Sequence, residues 1–300
     1  MAWILFAVLA LFSSVGNTIF NRISSHKIGS LLSACIKSFM ITIACLIICL
    51  CFGHIKELYS MNKIDWLWVG VLGLITIIDW LFYFLALKRS HLEAFAPFEV
   101  SAILFFSNLL FSIFMISIVT SGATPVKIIF YYIGLGLILA SMFYAVFNKR
   151  INPIAKFSWV IFSLISALAL SFTFLIVKLK LSHIHSDVIA FHQMLVVFVV
   201  CAVAVILSKE KHQIKEVSAK TYLNFFISAI FNACLLVFRY KALANANANP
   251  SIINIIVCLD FVFVSIATVL FFKANNKKQL IVLIILVVSG MILNALPALI

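Results

Sequence analysis

The feature that most constrains this chain is a series of long apolar stretches joined by short polar connections. A helix of about 20 apolar residues is long enough to cross the hydrocarbon core of a bilayer. Apolar residues make up 65% of the 300 residues and charged residues 10%, whereas a soluble domain is about half apolar and about a quarter charged. The chain has too little polar surface to cover a soluble core, so we expect a multi-pass integral membrane protein.

Ten stretches are long enough to span a membrane. All are expected to be α-helical, because a backbone in lipid must satisfy its own hydrogen bonds. The first begins at Ala2 with no basic residue ahead of it, which indicates a retained span and not a cleaved signal peptide. The predicted spans are 2–21, 31–52, 66–87, 95–119, 127–147, 157–177, 188–207, 219–241, 251–272 and 279–297.

The second half of the sequence repeats the first at an offset of 156 residues. Aligned pairs include Trp3 with Trp159, Cys45 with Cys201, Phe82 with Phe238 and Ala86 with Ala242. Five spans in each repeat is an odd number, so the second repeat must enter the membrane from the opposite side. We therefore predict an all-α fold of two inverted five-helix repeats, 1–150 and 151–300, with a substrate site near mid-membrane between them.

The charge distribution suits a membrane surface. The net charge of +13 comes from 22 Lys and Arg against nine Asp and Glu. Nearly all the basic residues lie in short loops, where they contact anionic headgroups, and no basic run has the form of a nucleic-acid interface. No nucleic-acid partner is expected. Loops after odd-numbered spans carry 13 Lys and Arg against four after even-numbered spans, which favours termini outside the cell.

Polar residues inside the spans mark a candidate site, because ionisable groups in hydrocarbon are costly and usually functional. Thr76, Asp79 and Tyr83 share one face of the third span. The repeat offset carries that face to Asn232 and Arg239 in the eighth span. This stripe indicates a face that lines a substrate site, and an interhelical pair such as Asp79 with Arg239 is the structural alternative.

Other spans add further candidates. Lys37 in the second span either lines the site, pairs with an acid or extends toward the interface, and Asn17 in the first either binds substrate or packs. Glu99, one turn into the fourth span, can bind a proton at moderate cost and joins Asp79 as a proton-coupling candidate. Asp260 has no polar neighbour on its own face, so it requires a partner on another helix.

A string of histidines precedes and enters the seventh span. His183, His185 and Asp187 form an H-x-H-x-D pattern, and His192 follows. A metal site needs three or four convergent ligands, and no Cys or second acid lies nearby in sequence, so ordinary interfacial histidines are the favoured interpretation. Neither a metal nor a cofactor is expected. Motifs of ATP hydrolysis and of the common hydrolases do not occur, so the chain is not expected to be an enzyme.

One stretch resembles a known family. The run W-L-F-Y-F-L-A-L-K at 80–88, followed by A-F-A-P-F-E at 94–99, is similar to the junction of the third and fourth helices in EamA-type proteins of the drug/metabolite transporter (DMT) superfamily, and 238–243 repeats it as F-R-Y-K-A-L. The resemblance implies ten helices around a central cavity and secondary transport of small metabolites. It also implies cytoplasmic termini, opposite to the charge count. Asn17 stands where the small multidrug-resistance branch has a glutamate.

The sequence therefore predicts a transporter of the bacterial cytoplasmic (inner) membrane, a monomer or homodimer, that moves a small polar solute by alternating access coupled to protons. An amino-acid-like, zwitterionic or cationic solute is favoured, and a phosphorylated, nucleotide-linked or lipid-linked sugar is the alternative. A membrane-embedded metal enzyme using His183, His185 and His192 is the alternative of another class. The predicted substrate-binding residues are Asn17, Lys37, Asp79, Tyr83, His192, Asn232 and Arg239, with Asp79 and Glu99 predicted for proton coupling.

Overall fold

The computed structural model describes residues 2–25, 28–89 and 158–245, with individual residues between 125 and 140 and between 248 and 293. Six long helices carry most of this part of the chain, which contains no strand. They are α1 (Ala2–Ser25), α2 (Ser30–Phe52), α3 (Lys63–Arg89), α4 (Ser158–Ile176), α5 (Ser186–Leu207) and α6 (Ala219–Ala244). A π-helical segment, Val177–Leu181, extends α4.

Short helical segments occupy two of the connections. They are His54–Lys56 and Glu57–Ser60 between α2 and α3, and Lys209–Glu216 between α5 and α6. Local residues determine where the long helices stop and start. α2 ends at Gly53, which has a φ of 78° that glycine adopts without strain, and Ser218 caps the start of α6 by accepting a hydrogen bond from the Thr221 N–H.

Within the described residues, six helices are long and apolar enough to cross a membrane. Their apolar segments are Ala2–Asn21, Ser30–Phe52, Lys63–Ala86, Leu164–Leu181, Ser186–Leu207 and Ala219–Ala244. These match the first, second, third, sixth, seventh and eighth predicted spans, so the prediction of an all-α membrane protein is confirmed for this part of the chain. The remaining predicted spans, 95–119, 127–147, 251–272 and 279–297, lie wholly or largely outside the described residues.

The helices present apolar side chains outward and polar ones inward. Leu5, Phe12 and Ile47 are among the exposed large apolar residues, as expected for surfaces that meet lipid. Lys37 and Arg239, by contrast, are only 2% and 3% exposed. This arrangement follows from the solvent, because a charged group facing hydrocarbon is costly and is better placed inside the bundle.

Each main helix pair combines one helix from the first half of the chain with one from the second half. α1 lies along α6, α3 lies along α4, and α2 and α5 lie against each other between these pairs. Two glycines allow close approach of helices. A Cβ added at Gly16 would lie 2.7 Å from the ring of Phe231 in α6, and one added at Gly73 would lie 2.6 Å from Val196 in α5. Small residues at such crossings are typical of membrane helix packing.

Candidate functional site

A small cavity of about 90 Å³ lies between α1, α2, α3, α4 and α6. Both halves of the chain contribute to its wall, and the lining combines charged, amide and aromatic side chains. The lining residues are Asn17, Thr18, Asn21, Lys37, Asp79, Trp80, Tyr83, Phe84, Leu170, Phe174, Asn232, Leu235, Leu236 and Arg239. A concave site with apolar walls and a few convergent polar groups is the usual form of a small-molecule site.

Asn17 is the centre of the polar contacts on one side of the cavity. Its Oδ1 accepts hydrogen bonds from Lys37 Nζ at 2.7 Å, from Ser228 Oγ at 3.1 Å and from Asn232 Nδ2 at 3.2 Å. The Lys37 ammonium also lies 5.2 Å from the centroid of the Trp80 ring. An amide oxygen and an aromatic face together compensate a buried cation.

Asp79 stands on α3 and interacts with α4. One carboxylate oxygen, Oδ1, accepts a hydrogen bond from Ser166 Oγ at 2.5 Å. The other, Oδ2, receives no hydrogen bond from the residues that the structure describes. The side chain therefore presents one oxygen to the cavity that can take a proton, an ammonium group or water.

Arg239 and Tyr83 occupy equivalent positions on α6 and α3, 156 residues apart. The Arg239 guanidinium carbon lies 3.6 Å from the centroid of the Phe174 ring, a cation–π contact that holds the charge at the wall of the cavity. Tyr83 Oη accepts a hydrogen bond from Asn21 Nδ2 at 2.8 Å. The predicted stripe on α3 and its counterpart on α6 thus face the same space.

Six of the seven predicted substrate-site residues line the cavity, namely Asn17, Lys37, Asp79, Tyr83, Asn232 and Arg239. His192 lies outside its lining. The His192 ring is buried, its Nε2 lies 3.1 Å from the Leu58 carbonyl oxygen, and it packs edge-on against Trp66. His192 therefore faces the connection after α2, apart from the six residues that the cavity brings together. Glu99 lies outside the described residues.

A second polar chain lies beside the cavity. Tyr240 Oη donates to Gln193 Oε1 at 2.7 Å, and Gln193 Nε2 donates to Thr76 Oγ1 at 2.7 Å. Thr76 in turn donates to the Leu72 carbonyl. Gln193 is the repeat counterpart of Lys37, so the same place on α2 and α5 carries a buried polar group that bonds to neighbouring helices.

Some lining and partner residues were not predicted. Ser166, the partner of Asp79, was missed because the repeat offset aligns Asp79 with Leu235 and gives no hint about α4. The α3–α4 contact can be inferred only once the α1–α6 contact is known, because the 156-residue offset relates α1 to α4 and α6 to α3. Trp80 and Phe174 could not be picked out as lining residues from the sequence, because the chain has 30 Phe and five Trp and no single aromatic residue stands out.

The charges that line the cavity sum to one acid and two bases among the described residues, Asp79 against Lys37 and Arg239. Asp260, a third predicted interior acid, does not line it. Its Oδ2 accepts a hydrogen bond from Ser14 Oγ at 2.6 Å, which is the partner on another helix that the sequence required. The described part of the cavity wall therefore carries groups of both charge signs.

The two histidines of the connection before α5, His183 and His185, contact different acidic residues. His183 Nε2 lies 3.2 Å from Asp65 Oδ2, and His185 Nδ1 lies 2.5 Å from Glu57 Oε2. With His192 buried at Leu58, the three histidines of the predicted metal-enzyme alternative do not converge. The described residues that could share a metal ion are instead His185 with His54 and Glu57.

Comparison with known proteins agrees with this architecture. Residues 157–296 match the EamA-like transporter family. No curated protein sequence matches the chain. A crystal structure described only as that of a protein superposes with a TM-score of 0.69 at 13% sequence identity, covering 98% of this chain and 96% of its own. At that identity the similarity shows a shared fold over almost the whole length.

Proposed function

We propose that this chain moves a small zwitterionic solute with a carboxylate, such as an amino acid. It contains an EamA-like transporter domain, which confirms the family resemblance seen in its sequence and makes it a multi-pass membrane transporter of the DMT superfamily. The observation that carries this proposal is the cavity between α1, α2, α3, α4 and α6, whose described lining offers basic groups, Lys37 and Arg239, and an acidic group, Asp79, to the two charges of a zwitterion. A volume of about 90 Å³ favours a solute of few heavy atoms over a nucleotide-linked sugar.

Each lining group has a role in the proposal. Arg239 and Lys37 bind the carboxylate, since charge-assisted hydrogen bonds are the strong ones in a low-dielectric site. The free oxygen of Asp79 binds either the substrate ammonium or a proton, so binding one displaces the other. Asn17 and Asn232 orient the solute through neutral hydrogen bonds. Glu99 is proposed as a second proton carrier.

Alternating access is proposed because the helix packing has a two-fold character. The offset of 156 residues turns α1 into α4 and α6 into α3, and it relates the α1–α6 contact to the α3–α4 contact. The central α2–α5 contact is its own counterpart. A bundle whose two halves repeat the same contacts in opposite orientation can open toward either side.

The chain path supports five spans in each repeat. The connection after α2 contacts the connection before α5 through Glu57 and His185, so α3 starts and α4 ends on the same side of the membrane. Arg89, at the end of α3, and Ser158, at the start of α4, therefore lie on the opposite side. The proposal of two further spans between them, 95–119 and 127–147, agrees with this, because an even number of crossings returns a chain to the side it left.

A thermal-shift screen of the detergent-purified protein tests the proposal, with amino acids, choline-like cations, sugar phosphates and nucleotides at two pH values. A ligand at a hundredfold excess over its Kd should stabilise the fold by about 2.7 kcal/mol. Arg239→Gln should weaken binding of a carboxylate solute about tenfold to a hundredfold, because a hydrogen bond to a charged group contributes about 1.5–3 kcal/mol.

Two carboxamide variants test proton coupling. Asp79→Asn should remove the pH dependence of the ligand-induced shift, whereas Asp260→Asn, a buried acid bonded to Ser14 outside the cavity, should keep it. Glu99→Gln tests the second proposed carrier in the same way. Stabilisation by cations that lack a carboxylate, or an unchanged shift in Arg239→Gln, would overturn the proposed substrate class.

A further inference from the structure

The wall of the cavity is built largely from positions that the 156-residue offset relates to each other. Four pairs of lining residues are counterparts in this way, among them Tyr83 with Arg239 and Thr18 with Phe174. One member of each pair comes from the first half of the chain and the other from the second half. The cavity therefore lies where the two predicted repeats meet, which is the place of the translocation path in inverted-repeat transporters.

One polar part of the wall departs from that symmetry. Lys37 of α2 and Asn232 of α6 both donate to Asn17, and all three residues line the cavity. Gln193 of α5 and Thr76 of α3, the counterparts of Lys37 and Asn232, do not belong to its described lining. We refer to Lys37 and Asn232 as the lysine group and to Gln193 and Thr76 as the glutamine group. The offset thus relates two polar groups, of which one lines the cavity.

The glutamine group is closed by contacts with neighbouring helices. Gln193 Nε2 donates to Thr76 Oγ1 at 2.7 Å, and Tyr240 Oη donates to Gln193 Oε1 at 2.7 Å. All three side chains are buried. Beside them α3 approaches α5 so closely that a Cβ added at Gly73 would lie 2.6 Å from Val196. Polar side chains buried between membrane helices either hold the bundle together or belong to a polar path.

The two groups lie at equal depths from opposite sides of the membrane. Lys37 is seven residues from the start of α2 at Ser30, and Gln193 is seven residues from the start of α5 at Ser186. This is about 10 Å along each helix. α5 begins on the side where α2 ends, because the connections after α2 and before α5 contact each other. Each group is therefore nearer to a different side.

We propose that Gln193 and Thr76 bind the transported solute when the cavity opens toward the side where α5 begins. In that state the glutamine group lines the cavity and the lysine group is closed, the reverse of the present arrangement, because inverted repeats can exchange conformations. Gln193 and Thr76 then donate neutral hydrogen bonds to the solute carboxylate, whereas Lys37 offers it a charged donor. This proposal rests on the proposed function, since it assigns further contacts to the same solute and the same alternating access.

The accessibility of introduced thiols tests the proposal without any solute. Lys37→Cys and Gln193→Cys are treated with a membrane-impermeant methanethiosulfonate in sealed vesicles of both orientations, and peptide mass spectrometry measures modification at each position. The Lys37→Cys thiol should react faster from the side where α2 begins, and the Gln193→Cys thiol faster from the other side. Each preference should be about tenfold or more, because a closed group reacts only in a minor state.

His192→Cys is the matched control for these measurements. His192 precedes Gln193 on α5 and is equally buried, but it is bonded to the Leu58 carbonyl and lies outside the described cavity lining. Its thiol should react about tenfold more slowly than that of Gln193→Cys, because it stays buried in both states.

A second pair of variants shifts the balance between the two states without altering either polar group. Gly73→Ala should push α3 away from α5, since the added Cβ would overlap Val196. Modification of Gln193→Cys should then be about fivefold faster and that of Lys37→Cys slower, because overpacking disfavours the state in which the glutamine group is closed. Gly70→Ala is the control, since a Cβ there has no atom within 4 Å.

Three results would overturn the proposal. They are modification of Gln193→Cys from the same side as Lys37→Cys, a rate no faster than that of His192→Cys, and equal effects of Gly73→Ala and Gly70→Ala. Any of them leaves the proposed solute class in place, because the thermal-shift screen tests that class separately. A one-sided pattern at both thiols supports the proposal even where the screen finds no amino acid that binds.

Discussion

Two connections are related by the 156-residue offset, the one after α2 and the one after α5. The first contacts the start of α5 and the second contacts the start of α2, through different kinds of side chain. In the first, which we call the histidine contact, His54 and Glu57 of the segment after α2 bond to Asp187 and His185 at the start of α5. Its counterpart, which we call the glutamate contact, consists of Glu210 and Gln213 with Gly29 and Leu32. There, Glu210 Oε2 accepts from the Leu32 N–H at 2.8 Å, and Gln213 Oε1 accepts from the Gly29 N–H at 2.7 Å.

The difference shows that positions related by the 156-residue offset can form contacts of different chemistry. The glutamate contact satisfies backbone N–H groups at the start of α2, which no helical partner can reach. It is a structural cap that needs a carboxylate and an amide. In the histidine contact, imidazoles and carboxylates bond with each other and leave the backbone N–H groups to other partners.

The same comparison continues inside the bundle, where the largest effect is expected. Asn17→Leu removes the oxygen that accepts from the buried Lys37 ammonium, and an unpaired buried charge costs about 3–5 kcal/mol. At the counterpart of Lys37, Gln193→Leu leaves the neutral Tyr240 hydroxyl without its acceptor, at about 1–3 kcal/mol. The Thr76 hydroxyl loses one donor but keeps its bond to the Leu72 carbonyl. Denaturant unfolding in detergent measures both free energies.

The double variant Asn17→Leu/Lys37→Met is the control for this prediction. It should recover much of the loss, because replacing both partners with apolar groups removes the unpaired charge. Equal losses of unfolding free energy in Asn17→Leu and Gln193→Leu would contradict the prediction that the buried charge of Lys37 makes the first variant the less stable.

A smaller effect is expected at Gly29. Its φ of −54° suits any residue, but an added Cβ would lie 1.9 Å from Glu210 Oε2. Gly29→Ala should displace that carboxylate and lose its bond to the Leu32 N–H, at about 1.5–3 kcal/mol. His185→Ala, at the counterpart position, removes only a solvent-exposed pair and should cost less than about 1 kcal/mol. Thermal unfolding of both variants tests the difference, and the reverse order would disprove it.

The smallest effect concerns the charge of the glutamate contact. Glu210→Gln keeps an acceptor but removes the negative charge at the start of α2, which is worth about 0.3–1 kcal/mol at low salt through the helix dipole. The loss should shrink as salt is added, because screening weakens the interaction. Glu216→Gln, at an exposed acid of the same segment, is the control. A loss that does not change with salt would indicate packing as the cause.

Much of the candidate site could be predicted because membrane helices place polar residues by helical face. Asn17, Asp79 and Arg239 were identified from their spacing and all line the cavity. His192 is buried but lies apart from the cavity, since helical spacing shows that a residue is inward-facing but not which neighbour it meets. Its contact with Leu58 depends on how the segment after α2 folds back over α5.

The six spans within the described residues follow from the sequence alone. Whether a stretch of about 20 residues can cross the membrane depends on its own composition and its own backbone hydrogen bonds. Only the tertiary structure decided which polar groups meet. Ser166 reaches Asp79, and His54 reaches Asp187 across 133 residues, because the packing of α3 on α4 and of α2 on α5 brings distant segments together. Those contacts depend on the relative positions of helices, which no local pattern specifies.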